Sequence, residues 1–301
     1  MQIMVQDTHY FKQILVLFPG TTNSTVLFSA HFDSVPGSPG ASDDGAAITV
    51  LLQLARLKSL SQTKSRNSFL LFFNNGEEIG LAGSEALLNS KNYTALVSNI
   101  KVFANFEGGG TGGKPILFRT TSSQLTQAYA DLPYPHMSSF GGDLLGLLGS
   151  YTDYQNYVKA GIPGFDVAYY ENRRFYHTPD DSLNNISPSD VQAMGSNALA
   201  LSKTLLNAEW IDNLKIESKN AFYDHFGGYY PVLISPTFQW SLACVLILFF
   251  IASLVYGYFY LYVPFKIPDS LVDPSIKSKK TYFGAHLLIF AFQYYSLGRQ
   301  R

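Results

Sequence analysis

The stretch LFFNNGEEIGLAGSEAL, residues 71–87, joins an apolar run to two adjacent glutamates, Glu77 and Glu78. Leu and Phe followed by Asn-Asn-Gly are typical of a buried strand that ends in a turn. Like charges on neighbouring residues repel each other, so both carboxylates must be stabilised by their surroundings. The stretch therefore predicts a buried strand whose carboxyl end carries functional acids.

Further apolar runs are separated by helical patterns and Gly-rich turns. Together with the opening stretch they predict four buried strands, at residues 25–33, 67–75, 100–108 and 162–170. Residues 44–60 show helical periodicity, and a second helix is predicted after Ser187, an N-cap residue that precedes Pro188 and Asp190. Alternating strands and helices predict an α/β three-layer sandwich with a mostly parallel central sheet.

Composition argues against some classes of function. The 301 residues carry a net charge of −1 and show no basic stripe or base-stacking motif, so nucleic acid is not an expected partner. The single cysteine, Cys244, excludes an intrachain disulfide.

The C-terminal part of the chain is apolar and aromatic. Residues 238–265 contain no charged side chain, and this run is long enough for a helix that crosses a bilayer and contacts membrane lipid. A shorter apolar run follows at residues 282–297. The expected organisation is a globular domain at 1–210, a linker at 211–235, a transmembrane helix at 236–265, a cytosolic loop at 266–281 and a truncated second transmembrane segment at 282–297.

Basic residues after the long apolar run indicate its orientation. These are Lys266, Lys277, Lys279 and Lys280. The positive-inside rule places them in the cytosol and the globular domain on the luminal side. Three Asn-x-Ser/Thr triplets, beginning at Asn23, Asn92 and Asn185, agree with a luminal glycoprotein.

Histidine, aspartate and glutamate stand at or just beyond the carboxyl ends of the predicted strands. In a parallel sheet these ends lie along one edge, where ligands bind. Two imidazoles together with several carboxylates are typical of a metal site, for which zinc fits best and manganese or cobalt also fit chemically. The candidate ligands are His31, Asp43, Glu78, Glu107 and His177.

Five protein ligands are too many for one catalytic zinc ion, which keeps a position open for water. They suit two zinc ions if one carboxylate and a water bridge them. Asp43, in a tight turn before a helix, is the expected bridge. Adjacent residues point in different directions, so Glu78 is assigned to the metal and Glu77 to a water as general base. The metal ions would then stabilise both glutamates.

Carboxylates that orient the two histidine rings are expected beside them. Asp33, two residues beyond His31, is predicted to accept the other ring N–H of that imidazole, and Asp181 is predicted to do so for His177. The remaining histidines, His9, His136, His225 and His286, have no such context, and ordinary structural or surface roles are expected.

Six motifs, in this order, resemble those of the di-zinc aminopeptidase-type metallopeptidases. They are AHFDSV, GASDDGAA, NNGEEIGLAGS, NFEGGGTGG, TDYQNYVKAGIPGFDVAYYE and YHTPDDSL, which cover roughly residues 7–206. The resemblance implies that Asp43 bridges, that His31 and Glu107 complete one zinc site, and that Glu78 and His177 complete the other. It also implies that Glu77 is the general base and that Asp153 is a pocket carboxylate. Many soluble members have aspartate where Glu107 stands.

Within that family the chain is most similar to the membrane-tethered branch, which comprises the fungal vacuolar membrane proteases and endoplasmic-reticulum metallopeptidases. The branch implies a vacuolar membrane location, with the endoplasmic reticulum membrane as the alternative. Its members have an N-terminal span and several C-terminal spans, so this chain is expected to be a fragment.

The expected activity is zinc-dependent hydrolysis of peptide substrates, of aminopeptidase type, with a metal-bridging water. Two alternatives stay open: a non-catalytic scaffold or receptor, and a single-zinc acyltransferase similar to glutaminyl cyclase. A transporter is disfavoured, because one or two spans are too few for an inverted repeat.

Overall fold

The computed structural model describes residues 1–7, 12–217, 221–225, 228 and 230–259. The chain divides into two compact units, residues 1–239 and 240–301, and residues 240–259 of the second unit are described.

A seven-stranded sheet forms the centre of the first unit, in the order β1-β2-β4-β3-β5-β7-β6. The strands are β1 (Gln2–Asp7), β2 (Lys12–Phe18), β3 (Thr25–His31), β4 (Ser68–Asn74), β5 (Ile100–Gly108), β6 (Ile116–Thr120) and β7 (Gly164–Tyr169). The four central strands β4, β3, β5 and β7 are parallel, whereas β1, β2 and β6 are joined antiparallel at the two edges.

Helices cover both faces of this sheet. They are α1 (Ala46–Leu60), α2 (Ala82–Leu88), α3 (Thr94–Ser98), α4 (Ser123–Ala130), α5 (Ser139–Leu147), α6 (Tyr154–Lys159) and α7 (Pro188–Asn207). Helices α1 and α7 bury Leu51 and Met194 against one face, while α2 and α6 bury Leu87 and Tyr157 against the other. The predicted three-layer α/β sandwich with a mostly parallel sheet is confirmed.

The central strands read as continuous apolar runs because both of their faces are covered. Every residue of β3 and β4 is buried. On the α1 side, Phe28 packs edge-on against Phe69 at a centroid distance of 5.1 Å and against Phe106 at 5.4 Å. Such edge-on aromatic pairs stabilise the packing between strands by more than the area that they bury.

Helix α7 begins with the predicted cap. The Ser187 hydroxyl accepts a hydrogen bond from the backbone N–H of Asp190, and the Asp190 carboxylate accepts one from the backbone N–H of Ser187. This reciprocal pair satisfies two N–H groups that the first turn leaves without helical partners. Pro188 at the first helical position loses nothing there, because its missing N–H would have had no partner.

The expected linker at 211–235 is wrong for its described residues, which belong to the first unit. Ile211 and Phe222 are buried in the main core, and Leu233 packs against it. Strands β8 (Ala221–His225) and β9 (Tyr230–Ile234) form an antiparallel hairpin. Burial of these apolar side chains favours an ordered extension of the domain over a free linker.

The tail contains the predicted apolar helix. Helix α8 (Pro236–Gly257) is 22 residues long, and by length and composition it is able to cross a membrane. The predicted span continued to residue 265. Residues 260–265, the predicted cytosolic loop at 266–281 and the predicted second segment at 282–297 lie outside the described residues.

Candidate active site

The predicted ligands lie together at the carboxyl edge of the parallel strands. His31 is the last residue of β3, and Glu107 is the last but one of β5. Glu78 follows β4 by four residues, and Asp43 lies in the irregular turn Ala41–Gly45 before α1. His177 follows β7. The ends of strands thus carry two of the groups, and the loops and turns that follow strands carry the other three.

Asp43 stands between two sets of donor atoms. Its Oδ1 lies 3.2 Å from His31 Nε2, which is in turn 3.5 Å from Glu107 Oε2. Its Oδ2 lies 3.0 Å from His177 Nε2, which is 3.2 Å from Glu78 Oε1. One carboxylate therefore presents one oxygen to each of two histidine–glutamate pairs.

These distances fit metal coordination. Ligand atoms about 2.0–2.1 Å from a tetrahedral zinc ion lie roughly 3.3 Å from each other, and the separations here are 3.0–3.5 Å. The Oε1 atom of Glu78 is buried and receives no hydrogen bond from the described residues. A buried carboxylate oxygen without a hydrogen bond destabilises the folded state unless a cation binds it. The donors are imidazole and carboxylate, the set that zinc accepts.

Glu77 lies beside this cluster and is itself buried. One oxygen of Glu77 is within 4.8 Å of donor atoms of His31 and Glu78. It is absent from both sets that share Asp43, although it lines the same cavity as Glu78 and His177. Glu77 is therefore a buried carboxylate that lies beside the proposed ligands and also lines the cavity.

Burial and mutual repulsion shift the pKa values of these groups. Burial is the main reason why the pKa of Glu77 rises to about 11, and the charge of Glu107 adds to it. Burial also raises the pKa of Glu107 to about 7, although its contact with His31 opposes the rise. For His177, burial alone would lower the pKa, but the carboxylates of Asp43 and Glu78 raise it to about 9. The cluster therefore attracts positive charge.

Asp181 holds the turn that carries Asp43. Its Oδ1 accepts hydrogen bonds from the backbone N–H of Ser42, at 2.8 Å, and from the Ser42 hydroxyl, at 2.6 Å. Its Oδ2 accepts one from the backbone N–H of Asp43 at 3.1 Å. The expected bond to the ring of His177 is thus replaced by bonds to the turn. Buried N–H groups of an irregular turn need acceptors, and Asp181 supplies them.

A glycine allows the same turn to approach strand β5. A Cβ at Gly108 would lie 2.4 Å from the Ser42 carbonyl oxygen and 2.5 Å from Asp43 Cα. Any larger residue would push the turn away from the strand that carries Glu107. The close approach of backbones here requires glycine.

Asp33 lies beside His31 in a different arrangement from the expected one. The Nδ1 atom of His31 is 2.8 Å from the backbone carbonyl oxygen of Asp33 and 3.6 Å from its carboxylate. The carboxylate instead accepts hydrogen bonds from the backbone N–H groups of Glu77, at 3.3 Å, and Glu78, at 3.1 Å. Asp33 thus orients the imidazole through its main chain and the Glu77–Glu78 turn through its side chain.

Asp153, expected as a pocket carboxylate, is buried and is not among the residues that line the cavity on the proposed ligands. It accepts hydrogen bonds from Asn74 Nδ2, at 2.5 Å, and from the Ser84 hydroxyl, at 2.6 Å. Burial raises its pKa to about 6, against these hydrogen bonds. Its observed contacts tie the end of β4 to α2.

A cavity of about 550 Å³ opens on the cluster. Asp43, Glu77, Glu78, Glu107 and His177 form its acidic end. Its other walls are largely apolar and include Ile116, Phe118, Leu144, Leu145 and Ala168. The cavity can therefore take a ligand with a cationic or polar group at one end and an apolar body.

Some residues of the site were not predicted from the sequence. The Tyr176 ring stacks on His177 with centroids 3.7 Å apart and planes 18° apart, and only its adjacency to His177 pointed to it. The apolar wall from α5 was also missed. The available signal was a run of three leucines and three glycines in its sequence, SFGGDLLGL.

The site thus combines two sets of imidazole and carboxylate donors with a glutamate, Glu77, that belongs to neither set that shares Asp43. At the carboxyl edge of an α/β sheet, this arrangement is typical of a metal-dependent hydrolase. Residues 13–202 match the model of Peptidase family M28, and the chain belongs to that family.

Relatives with assigned names agree with this membership. The chain is 36% identical over 239 residues to a vacuolar membrane protease of Schizosaccharomyces pombe, an alignment that covers 76% of this chain and 27% of that protein. It is 33% identical over 223 residues to the vacuolar membrane protease of Yarrowia lipolytica, covering 73% and 22%. The chain thus spans about a quarter of the length of these relatives.

Solved structures support the fold. A zinc aminopeptidase from Bacillus subtilis superposes with a TM-score of 0.52 at 23% identity, covering 66% of this chain and 51% of that one. The Legionella pneumophila LapA aminopeptidase superposes with a TM-score of 0.55 at 16% identity, covering 69% and 59%. At these identities the similarity shows a shared fold.

Proposed function

We propose that this chain is the catalytic part of a membrane-anchored, two-zinc aminopeptidase. The observation that carries the proposal is the position of Asp43, whose two oxygens face separate histidine–glutamate pairs. His31, Asp43 and Glu107 would hold one zinc ion, and Asp43, Glu78 and His177 the other. Ions held by these residues would supply Lewis acidity, which would acidify a water and polarise the scissile carbonyl.

Glu77 acts as the general base in this proposal. It is buried, it lines the cavity, and it is not needed by either metal set. Two bound dications would lower its pKa from the value of about 11 that burial and neighbouring carboxylates produce without metal, and the ionised carboxylate would then take the proton from the attacking water and pass it to the departing amine. Asp33 holds the backbone of Glu77 and so fixes where that carboxylate points.

The shape and charge of the cavity favour a free N-terminus as the group that binds. Of the four carboxylates at its inner end, Asp43, Glu78 and Glu107 would hold the zinc ions, and Glu77 is left to face a substrate α-amine. The apolar walls from β6 and α5 would hold the first side chain. An aminopeptidase uses both features, because it must bind a terminal charge next to the bond that it cleaves.

The membrane anchor and its location are part of the proposal. The relatives are named vacuolar membrane proteases, and α8 has the length and composition of a membrane span. Lysines that follow the apolar run in the sequence, from Lys266 onward, support a cytosolic side after the span and a luminal peptidase unit. These observations support our proposal that the chain lies in the vacuolar membrane.

Replacement of Glu77 tests the catalytic assignment. In the full chain, Glu77→Gln should lower kcat by about 10²–10⁴-fold because the proton acceptor is lost, while bound zinc is unchanged. The matched control is Glu85→Gln, an exposed glutamate on α2, which should keep its rate. An unchanged rate for Glu77→Gln would remove Glu77 from the mechanism.

Blocking the substrate amine tests the aminopeptidase assignment. Leucine p-nitroanilide should be hydrolysed with a kcat/KM at least about 100-fold higher than its N-acetyl derivative, because acetylation removes the basic amine that would face Glu77 in the cavity. Equal rates for the two substrates would show that a free N-terminus is not recognised.

A further inference from the structure

A row of polar side chains crosses the sheet next to the proposed metal site. In strand register, Asn105 on β5 lies opposite Asp166 on β7, and Asp166 lies opposite Arg119 on β6. Asn105 and Asp166 are fully buried, and Arg119 is 9% exposed. Burying an amide, a carboxylate and a guanidinium in a sheet costs stability unless they are paired. Apolar residues at these positions would pack without that cost, which points to a function of the three polar side chains.

Asn105 links the row to a proposed metal ligand. Its Nδ2 group donates one hydrogen bond to Glu107 Oε1, at 2.8 Å, and one to Asp166 Oδ1, at 3.1 Å. An amide turned the other way would point its own oxygen at two carboxylates. The two acids therefore fix the orientation of the Asn105 amide, with both of its N–H donors in use.

Asp166 is itself held from the outer side of the sheet. Arg119 Nε lies 3.0 Å from its Oδ2, and the Thr152 hydroxyl donates to the same oxygen at 2.8 Å. The Arg119 guanidinium also lies over the rings of Phe118 and Tyr154, at 4.7 Å and 5.3 Å from their centroids. Opposite charge and stacking thus keep Asp166 in one position.

This arrangement determines what Glu107 presents to the site. Its Oε1 is occupied by Asn105, while its Oε2 lies 3.5 Å from His31 Nε2. Asn105 and Glu107 are two positions apart on β5, so both side chains lie on the same face of the strand. A rigid donor on one oxygen leaves the other as the sole ligand atom.

We propose that Asn105 is a positioning residue, which the buried Asp166–Arg119 pair holds in place so that Glu107 offers a single oxygen to the metal shared with His31 and Asp43. The inference rests on the proposed two-zinc site. It assigns a role to three residues, Asn105, Asp166 and Arg119, that are neither proposed metal ligands nor the proposed general base. Hydrogen-bond partners of metal ligands commonly contribute about 10–100-fold to metal affinity.

The test is a zinc titration of the metal-free full chain in detergent, in competition with a chromophoric chelator. Asn105→Leu keeps the size of the side chain and removes both donors. It should weaken one of two zinc equivalents by about 10–100-fold and leave the other unchanged, because Glu78 and His177 are not touched.

Ser29→Ala is the matched control. Ser29 lies opposite Asn105 in register on β3 and is fully buried. Its hydroxyl is hydrogen-bonded to the Tyr157 hydroxyl at 2.8 Å, and Tyr157 is not a proposed metal ligand. It should lower the melting temperature of the metal-free chain yet keep both zinc affinities. Loss of affinity in Asn105→Leu alone thus separates positioning from general stability.

The remaining outcomes also decide. If wild type binds two equivalents and a folded Asn105→Leu binds both unchanged, the positioning role is wrong while the proposed function stands. If wild type binds fewer than two, the two-zinc proposal itself fails. Should Asn105→Leu not fold, Arg119→Lys on edge strand β6 decides, because it keeps the charge and loses the Nε contact. If Arg119→Lys binds one of the two zinc equivalents severalfold more weakly than wild type, the inference is supported. If its affinities for both equivalents are unchanged, the inference is overturned.

Discussion

Asp43 is the residue on which the proposed two-zinc site depends. It is almost fully buried and lies within 3.0–3.2 Å of two imidazoles. Burial tends to raise the pKa of its carboxyl group, but the contacts with His177 and His31 outweigh burial and lower it. An aspartate kept ionised in this way needs a rigid backbone, because a small rotation would break one of its two contacts.

Asp181 provides that rigidity, and its removal is our first prediction for stability. Asp181→Ala leaves two buried N–H groups and the Ser42 hydroxyl without their acceptor, so the free energy of unfolding should fall by about 2–4 kcal/mol. Thermal melting in excess chelator measures this loss without a contribution from bound metal.

The neighbouring acid is the control for that variant. Asp180 is exposed, and Asp180→Ala should change the free energy of unfolding by less than about 0.5 kcal/mol. If both variants melt at the wild-type temperature, the hydrogen bonds from Asp181 do not hold the Asp43 turn.

Among the elements, the central strands and α7 were predictable because their signals are local. Apolar residues dominate the runs in β3, β4 and β5, and Ser187-Pro188 marks a helix start. The acids and histidines at strand ends likewise gave the candidate ligands. Which backbone groups they bond was not predictable, because Asp33 and Asp181 act through turns whose shape no periodicity encodes.

The edge strands and the hairpin were missed for a related reason. Strands β1 and β2 are partly exposed, so their patterns are mixed and resemble those of a loop. The β8–β9 hairpin is held by scattered contacts such as Phe222, buried in a core made of distant segments. Contacts of this kind depend on the tertiary fold, which a local pattern does not contain.

The cap of α7 gives the prediction at this scale. Ser187→Ala removes the acceptor for the N–H of Asp190, which should cost about 1 kcal/mol and lower the melting temperature by about 2–4 °C. Differential scanning fluorimetry of the full chain in detergent measures the shift.

Thr204→Ala, on the exposed side of the same helix, is the comparison. It should leave the melting temperature unchanged or slightly higher, since alanine favours helix more than threonine does. Equal losses in the two variants would mean that the cap contributes nothing specific.

At the scale of the molecule, the chain combines a peptidase unit with an apolar helix. Helix α8 carries exposed Leu, Ile, Val and Phe along its length, such as Leu248 and Phe249. Such a surface is stable in lipid and unstable in water. The proposed luminal orientation makes the three Asn-x-Ser/Thr triplets accessible to the glycosylation machinery.

Glycan mapping tests this orientation. Asn23 and Asn92 are exposed, whereas Asn185 is half-buried and its amide donates to the Asp180 carbonyl at 2.8 Å. In a eukaryotic host, Asn23→Gln and Asn92→Gln should each remove one glycosidase-sensitive increment of mass, and Asn185→Gln should remove less or none. A chain that carries no glycan at Asn23 or Asn92 would contradict a luminal peptidase unit.

The metal content of the purified full chain tests the central claim most directly. Elemental analysis after dialysis against buffered zinc should give two zinc ions per chain for wild type, and fewer than two for Asp43→Ala, which removes the shared carboxylate. A wild-type chain that holds one zinc ion or none under these conditions would contradict the account.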